Sequence, residues 1–204
     1  MTTLQHGPVR LAITDEAGTV AAVIAHAFAP LDVCQWLVPV DAQRVSVLTN
    51  YFQLLVDHAA KHGRIEVIDV QTADGSTTIG AAAVWLEHPV PEPEDYADRM
   101  AAACGEWTDR FEHFEVAMVN AHPIDEAHAY LTLLAIDDRW QSQGLGTVLL
   151  EARHAQLHTP AYLEASNSQS RKLYERLGYA DCAAPLDLPY NGERIYPMWR
   201  KPNA

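Results

Sequence analysis

The residues best suited to chemistry lie in a glycine-containing turn between an apolar run and an amphipathic stretch. Residues 133–136 are apolar, and Gln141, Gly144 and Gly146 follow before the next predicted helix. Glycine lets a backbone approach a ligand closely, and the first N–H groups of a helix are free to bind an anion. The turn therefore predicts a phosphate-binding loop, although two glycines are equally typical of a plain strand-to-helix turn. It lacks the Lys-Ser/Thr pair of a P-loop and the third glycine of a dinucleotide-binding fold.

A second segment, residues 162–179, predicts a strand followed by a helix. Asn167 is suited to cap that helix, because its short side chain can accept a hydrogen bond from the first turn. Tyr174 follows seven residues later on the predicted core-facing side, and Gly178 ends the helix. The residue types alone give Asn167 and Tyr174 both a structural and a functional interpretation.

Together the two segments resemble motifs A and B of the GNAT superfamily of acyl-CoA-dependent N-acyltransferases. Motif A reads Gln or Arg, two residues, Gly, one residue, and Gly or Ala, a pattern that Gln141, Gly144 and Gly146 match. Motif B is a strand that ends near an asparagine, followed by a helix with the Leu-Tyr-Glu-Arg sequence found at residues 173–176.

Other positions refine this resemblance. Segments 128–131 and 198–202 are similar to actinobacterial members of the puromycin N-acetyltransferase group. Asp138 stands where many members have proline, and Ser142 stands where many have glycine. Neither position is essential to motif A, so cofactor binding is still implied.

The resemblance implies acetyl-CoA as a cosubstrate and gives each motif a role. In the family the fourth and fifth strands separate at a bulge, which leaves backbone groups free for the peptide-like pantetheine arm and one N–H to polarise the thioester. Tyr174 would be the general acid that protonates the leaving thiolate. The implied cofactor-binding residues are Leu134, Ala135 and Ile136 in the strand, Gln141, Ser142, Gln143, Gly144, Leu145, Gly146 and Thr147 in the pyrophosphate loop, and Asn167.

The reaction also needs a base, because an ammonium group has no lone pair with which to attack a thioester. The candidates are carboxylates, imidazoles and a phenol near the predicted strand ends: Glu87, His88, His128, Tyr130 and Glu164. Glu164 is the base candidate that we carry forward. The scattered His, Asp and Cys residues show no metal-ligand spacing, so no metal is predicted.

The acceptor is predicted to be a primary amine of a small molecule, attacked directly in a ternary complex. In the family its pocket is built from the segments that correspond here to residues 29–40 and 187–194. Their aromatic and acidic side chains suit a cationic, partly apolar amine: Asp32, Trp36, Asp187, Tyr190, Glu193 and, nearby, Tyr196. Two alternatives stay open, namely an acyl-CoA-binding sensor without turnover and an enzyme that acetylates a protein amine.

Hydrophobic periodicity predicts the elements that position these residues. The order is β-α-α-β-β-α-β-α-β-α-β-β, which is also that of the superfamily. The predicted fold is mixed α/β, a single GNAT-type domain over residues 1–204, with a mostly antiparallel sheet splayed between its fourth and fifth strands and helices on both faces. Predicted helices cover residues 17–28, 41–62, 96–114, 144–157 and 167–177, and predicted strands cover 9–13, 64–71, 77–88, 129–136, 161–165, 179–187 and 194–200.

Composition limits the partners of the protein. The 204 residues include 27 Asp and Glu against 14 Lys and Arg, a net charge of −13, which disfavours nucleic acid and anionic membranes. Arg139, Arg171 and Lys172 are local cations that could offset this charge beside CoA. The cysteines are odd in number and widely separated, which is typical of a reducing compartment. The sequence also shows no basic and apolar leader and no apolar run of ~18 residues, so a cytoplasmic protein is predicted. We expect it to be a monomer or a homodimer.

Overall fold

The computed structural model describes residues 6–202, and its strands form one continuous sheet. The strands are β1 His6–Leu11, β2 Gly63–Gln71, β3 Thr77–His88, β4 His128–Ile136, β5 Ala161–Ala165, β6 Ala180–Asp181 and β7 Tyr196–Arg200. Their order across the sheet is β1-β2-β3-β4-β5-β7-β6. All neighbouring pairs are antiparallel except β4 and β5, which run parallel.

Helices cover both faces of this sheet. They are α1 Ala17–Phe28, α2 Asp32–Leu37, α3 Asp41–His62, α4 Tyr96–Cys104, α5 Thr108–Ala121, α6 Leu145–His154 and α7 Ser168–Arg176. Buried side chains of α1 to α5 form one core, and those of α6 and α7 join a second core on the opposite face. The predicted fold class is therefore confirmed. Within residues 6–202, no helix is both long enough and apolar enough to cross a bilayer.

Two predicted elements differ in kind from the structure, and several others differ only in their bounds. The helix predicted over residues 96–114 is two helices, because the chain turns at Gly105, where φ is 56°, and passes through a short 3-10 turn. The strand predicted over residues 179–187 is paired only at Ala180–Asp181. Beyond it, Leu186 and Leu188 are buried in irregular structure, so their apolar pattern marks a packed loop.

The feature that shapes the site is an irregularity in β4. Leu131 pairs with Trp85 and Leu133 pairs with Val84, so Thr132 is an extra residue that forms a bulge. A bulge reverses the alternation of side chains beyond it. Ala129 and Leu131 accordingly face the core of α6 and α7, whereas Leu133 and Ala135 face the opposite core.

Candidate active site

The bulge lies where β4 separates from β5. Their parallel pairing covers only Ala129 to Leu131 and Ala161 to Leu163, and it stops just before Thr132. Beyond that point β4 remains paired with β3 on its other edge. The sheet therefore contains an internal opening between the ends of β4 and β5, as the sequence predicts.

Two buried polar atoms at this opening have no hydrogen-bond partner among the described residues. They are Oγ1 of Thr132, at the bulge, and Oε1 of Glu164, which follows the last β5 residue paired with β4. Leaving a buried acceptor or donor unpaired is costly, and such atoms in folded proteins are few. The pair indicates a place where a polar ligand completes the hydrogen bonding.

The glycine-containing turn follows β4 directly and starts α6. Ser142 has φ 61° and Gly144 has φ 88°, both left-handed, and a Cβ at Gly144 would meet only open space. Gly144 occupies the N-cap position, where no side chain caps the helix. The first N–H groups of α6 thus face an open region at the positive end of the helix dipole, an arrangement that suits phosphate.

Gly146 has a different role in the same turn. It is buried, and a Cβ there would lie 3.5 Å from Leu173 and 3.7 Å from Ile136. Gly146 is therefore packed between α6, β4 and α7, where an added methyl group would make only ordinary van der Waals contacts.

Polar side chains around the turn bind mostly to the turn itself. Gln141 Nε2 donates to the Ile136 carbonyl at 3.1 Å, and Gln143 Nε2 donates to the Arg139 carbonyl at 3.4 Å. The remaining predicted loop residues, Leu145 and Thr147, open α6. Leu145 is buried, so what the loop offers a ligand is chiefly its backbone.

The predicted cations near the turn already have acidic partners, except one. Arg139 contacts Asp137 at 2.8 Å, and Arg171 contacts Asp181 at 2.6 Å. Lys172 is exposed and forms no ion pair within residues 6–202. Local positive charge is therefore smaller than the residue types suggest.

Glu164 is held in a buried, aromatic environment. Its Oε2 accepts a hydrogen bond of 2.9 Å from the Tyr130 hydroxyl, which belongs to β4. Burial raises the pKa of Glu164 to about 7, and hydrogen bonding from tyrosine only partly offsets this shift. Glu164 can thus exchange a proton near neutral pH, as a general base must.

Tyr174 lies on the other side of the sheet. It packs with Leu163 and Ala165 in the core of α6 and α7, whereas Glu164 points to the opposite face of β5. Burial raises the pKa of Tyr174, so its hydroxyl stays protonated at neutral pH. The predicted acid and base therefore lie on opposite faces of the sheet.

Asn167 has the structural role that its residue type permits. Its Oδ1 accepts a hydrogen bond of 2.7 Å from the Ser170 N–H, and Ser170 Oγ lies 3.3 Å from the Asn167 N–H in return. This capping box fixes the start of α7. The predicted contact of Asn167 with the cofactor stays a prediction.

The other base candidates are placed elsewhere. Glu87 is exposed and forms an ion pair with Arg153. His88 and His128 stack at 4.8 Å between ring centroids, in a cluster that also includes His122. His122 has no signature in the sequence, because it follows α5 and only the fold brings it to β3 and β4.

The two predicted acceptor segments do meet. The Asp32 carboxylate accepts a hydrogen bond of 2.8 Å from the Glu193 N–H, and Trp36 stacks on Tyr190 at 5.9 Å. Gly192 is required here, since a Cβ would lie 2.4 Å from the Asp32 carboxylate. Two further members are less central: Asp187 is fully exposed, and Tyr196 carries the Arg171 guanidinium over its ring at 5.0 Å.

Comparison with known proteins agrees with this geometry. Residues 80–179 match the sequence model of the family described as "Acetyltransferase (GNAT) family". No curated protein shows significant sequence similarity to the chain.

Solved structures show the same fold. The chain is 23% identical, with TM-score 0.72, to a structure described as histone acetyltransferase HPA2 and related acetyltransferase from Corynebacterium glutamicum, covering 100% of this chain and 98% of that one. The C-terminal condensation domain of Ebony, in complex with beta-alanyl-dopamine, gives TM-score 0.63 at 13% identity, covering 97% and 99%. Arylalkylamine N-acetyltransferase 2 from Aedes aegypti gives TM-score 0.61 at 9% identity, covering 99% and 100%.

These likenesses establish the fold, and the family match adds the motifs. The matched region runs from β3 through α7 and contains the glycine turn, the Asn167 helix and the opening between β4 and β5. Residues 80–179 therefore form an acetyltransferase (GNAT) family domain, and the protein is an acyl-CoA-dependent acetyltransferase.

Proposed function

We propose that the protein transfers an acetyl group from acetyl-CoA to a primary amine of a small molecule, by direct attack in a ternary complex. The internal opening between β4 and β5 carries this proposal. Thr132 Oγ1 and Glu164 Oε1 are buried hydrogen-bonding atoms there that have no partner among the described residues. A peptide-like arm that ends in a thioester matches both the opening and the chemistry.

The residues around the opening fit acetyl-CoA along its length. The backbone of Leu134, Ala135 and Ile136 would hold the pantetheine arm, and the N–H groups from Gln141 to Thr147 would hold the pyrophosphate. Acetyl-CoA supplies an activated thioester carbonyl, so the enzyme needs no covalent intermediate of its own. A backbone N–H of β4 is suited to stabilise charge on that carbonyl oxygen.

Glu164 acts as the general base and Tyr174 as the general acid. Glu164, with its pKa of about 7, takes a proton from the ammonium group of the acceptor and so frees its lone pair. Tyr174, held protonated by burial, donates a proton to the leaving CoA thiolate. Tyr130 orients the Glu164 carboxylate through its hydroxyl.

The acceptor is proposed to be a cationic amine with an aromatic or apolar body. Asp32, Glu193 and the stacked rings of Trp36 and Tyr190 form one surface where two loops meet. Carboxylates attract an ammonium group, and aromatic faces favour both apolar contact and cations. One structural relative is an arylalkylamine N-acetyltransferase, a name in keeping with this chemistry.

The test is thiol release from acetyl-CoA over a panel of primary amines, including arylalkylamines, aminonucleosides and polyamines. We expect turnover with at least one class of amine and a product heavier by one acetyl group. Tight CoA binding without turnover on any amine would instead support an acyl-CoA sensor. Acetylation of proteins alone, read by intact mass, would support a protein-modifying enzyme and contradict the small-molecule acceptor.

A further inference from the structure

Three histidines from separate parts of the chain converge at the end of the sheet opposite the opening. His88 ends β3, His122 follows α5, and His128 begins β4. One ring nitrogen of each lies within 4.8 Å of those of the others. Sequence spacing gave no sign of this group, because only the pairing of β3 with β4 places His88 opposite His128.

The orientation of these rings is fixed by the protein. His128 is 1% exposed, and its Nδ1 lies 2.7 Å from the carbonyl oxygen of Glu126, which makes Nδ1 the protonated nitrogen. Its Nε2 then points at the Nε2 of His122, 3.1 Å away. A histidine that donates one ring nitrogen to a backbone carbonyl presents the other as a metal ligand, as is usual in metal sites.

The surroundings of the cluster hold the rings in place. Tyr162 contacts His122 at 4.8 Å and His128 at 5.8 Å between ring centroids, and Trp199 contacts His128 at 5.1 Å. His88 and His122 are only partly buried, so an ion could enter from solvent. The cluster is thus rigid on its inner side and accessible on its outer side.

We propose that His88, His122 and His128 form a binding site for a divalent transition-metal ion, of which Zn²⁺ is the representative. Imidazole nitrogens suit Zn²⁺ and its neighbours in the series, and three protein ligands leave a fourth position open. Mg²⁺ and Ca²⁺ are disfavoured, because they prefer oxygen ligands and these three side chains offer only nitrogen.

The distances match this coordination. Zn–N bonds of ~2.0–2.1 Å at tetrahedral angles separate two ligand nitrogens by ~3.3 Å. The Nε2 atoms of His122 and His128 are 3.1 Å apart, and no pair in the group exceeds 4.8 Å. Small side-chain rotations of the partly exposed His88 would bring the third nitrogen into range.

The site adjoins the proposed catalytic residues without including them. His122 packs against Tyr130 at 4.7 Å, and Tyr130 donates to Glu164. The metal site nevertheless stands independently of the proposed function, because its ligands and its test involve neither acetyl-CoA nor an amine.

The experiment titrates Zn²⁺ into the purified full chain in chelator-free buffer by calorimetry. We expect one ion per chain and a rise in melting temperature over the same protein in EDTA, because a ligand that binds only the folded state stabilises it. Replacing Zn²⁺ with Co²⁺ should give visible absorption bands typical of tetrahedral coordination.

Two variants remove one ligand each, His122→Gln and His88→Ala, so that a folding defect in one leaves the other informative. Each should weaken Zn²⁺ binding by more than about 100-fold, since loss of even a second-shell partner lowers metal affinity by about 10- to 100-fold. Melting curves in EDTA verify that each variant is folded.

The matched control is a second histidine pair. His58 and His62 lie one turn apart on α3, with ring centroids 4.8 Å apart, but no third metal-ligating side chain within residues 6–202 joins them. The double variant His58→Ala/His62→Ala should keep full Zn²⁺ binding. Wild-type protein that binds no Zn²⁺, or binding that survives in the His122 and His88 variants but is lost in the control, would overturn the proposal.

Discussion

At the scale of single residues, the proposed reaction depends on where protons lie before the amine attacks. Glu164 has a pKa raised to about 7 by burial, so it can be deprotonated under neutral conditions. Tyr130 and Tyr174 have pKa values raised by burial, so both remain hydrogen-bond donors. The three groups therefore take complementary protonation states at one pH.

Substitution of Glu164 by Gln removes the proposed base with little change in size. We expect kcat/KM to fall by about 10²-fold or more at pH 7, within the range for general base catalysis. Wild-type kcat/KM should rise about tenfold per pH unit below about 7 and then level off. The kcat/KM of the variant should instead keep rising with pH up to the pKa of the amine, because without the base only free amine can react.

The control is Glu87→Gln. Glu87 is another carboxylate that the sequence suggests as a base, but it is exposed and paired with Arg153. This variant should keep the wild-type pH profile. If it lost the plateau while Glu164→Gln kept it, the assignment of the base would be wrong.

Glu164 should also make stability depend on pH. Its pKa is higher in the folded protein, about 7, than the ordinary value of 4.5, so the folded state binds the proton more tightly. The stabilisation is complete below the unfolded pKa and is lost as pH rises through about 7, with a total of about 3 kcal/mol.

Urea unfolding at pH 5 and pH 8 measures this effect, compared between wild type and Glu164→Gln. The comparison is needed because buried His154, whose pKa burial lowers to about 4, gives the opposite dependence. Equal changes in the two proteins would show that Glu164 has an ordinary pKa.

Tyr174→Phe tests the proposed acid. The ring and its packing are retained, so KM for acetyl-CoA should change little while kcat falls by about 10²-fold. Tyr179→Phe is the matched control: Tyr179 is buried 5.8 Å from Tyr174, and its hydroxyl contacts His154 Nε2 at 3.0 Å. This control should lose stability but keep kcat, and a similar fall in kcat for both variants would indicate a packing effect.

At the scale of elements, the proposed cofactor site is made from the ends of β4 and β5 and the start of α6. The strand offers backbone groups along its open edge, and the helix offers N–H groups at its uncapped start. Gly144 lies between the strand and the helix in a left-handed backbone conformation that is unfavourable for residues with a side chain. The geometry of the turn is therefore as important as the identity of any side chain in it.

Gly144→Ala tests the turn. A left-handed alanine costs about 1–2 kcal/mol, and its methyl group would project into the open region where phosphate is expected. We expect lower stability and CoA binding weakened by at least about tenfold, since hydrogen bonds to a charged group contribute about 1.5–3 kcal/mol. Calorimetry with CoA and thermal unfolding measure the two effects.

Gly75→Ala separates strain from binding. Gly75 has φ 83° in the hairpin between β2 and β3, and a Cβ there also meets nothing. It should lose similar stability while binding CoA as the wild type does. Equal loss of CoA binding in both variants would mean that the effect of Gly144 is only a folding effect.

The positions of these elements could be predicted from the sequence where hydrophobic periodicity or a terminating glycine marked them locally. The helices of residues 17–28 and 41–62, the hairpin of β2 and β3, and the parallel partner strands all lie where expected. The break at Gly105 was missed, because the apolar spacing of Tyr96, Met100, Trp107 and Phe111 continues through it. Neither the position of the bulge at Thr132 nor the convergence of His88, His122 and His128 has a local signature, since both depend on strand register.

At the scale of the whole molecule, charge separates the two proposed substrates. The chain carries a net charge of −13, while CoA is an anion and the proposed acceptor a cation. The overall field therefore opposes one substrate and attracts the other. In the proposed complex, backbone groups at the start of α6 would bind CoA against this field, because Arg139 and Arg171 are already paired with carboxylates.

Salt should accordingly act in opposite directions on the two substrates. Raising ionic strength from 0.05 to 0.5 M shortens the Debye length from roughly 14 to 4 Å. We expect KM for the amine to rise about threefold or more and KM for acetyl-CoA to fall or stay constant. Initial rates with each substrate varied in turn provide the measurement, and an unchanged KM for the amine would contradict electrostatic recruitment.

The opening between β4 and β5 has a further consequence for the behaviour of the protein in a crowded solution. Unpaired strand edges are usually a hazard, because another chain can pair with them and start aggregation. Here the unpaired edge lies inside the sheet, with β3 on one side and β5 and β7 on the other. A narrow, peptide-like ligand can therefore reach these backbone groups, whereas a strand of another protein is too broad to pair with them.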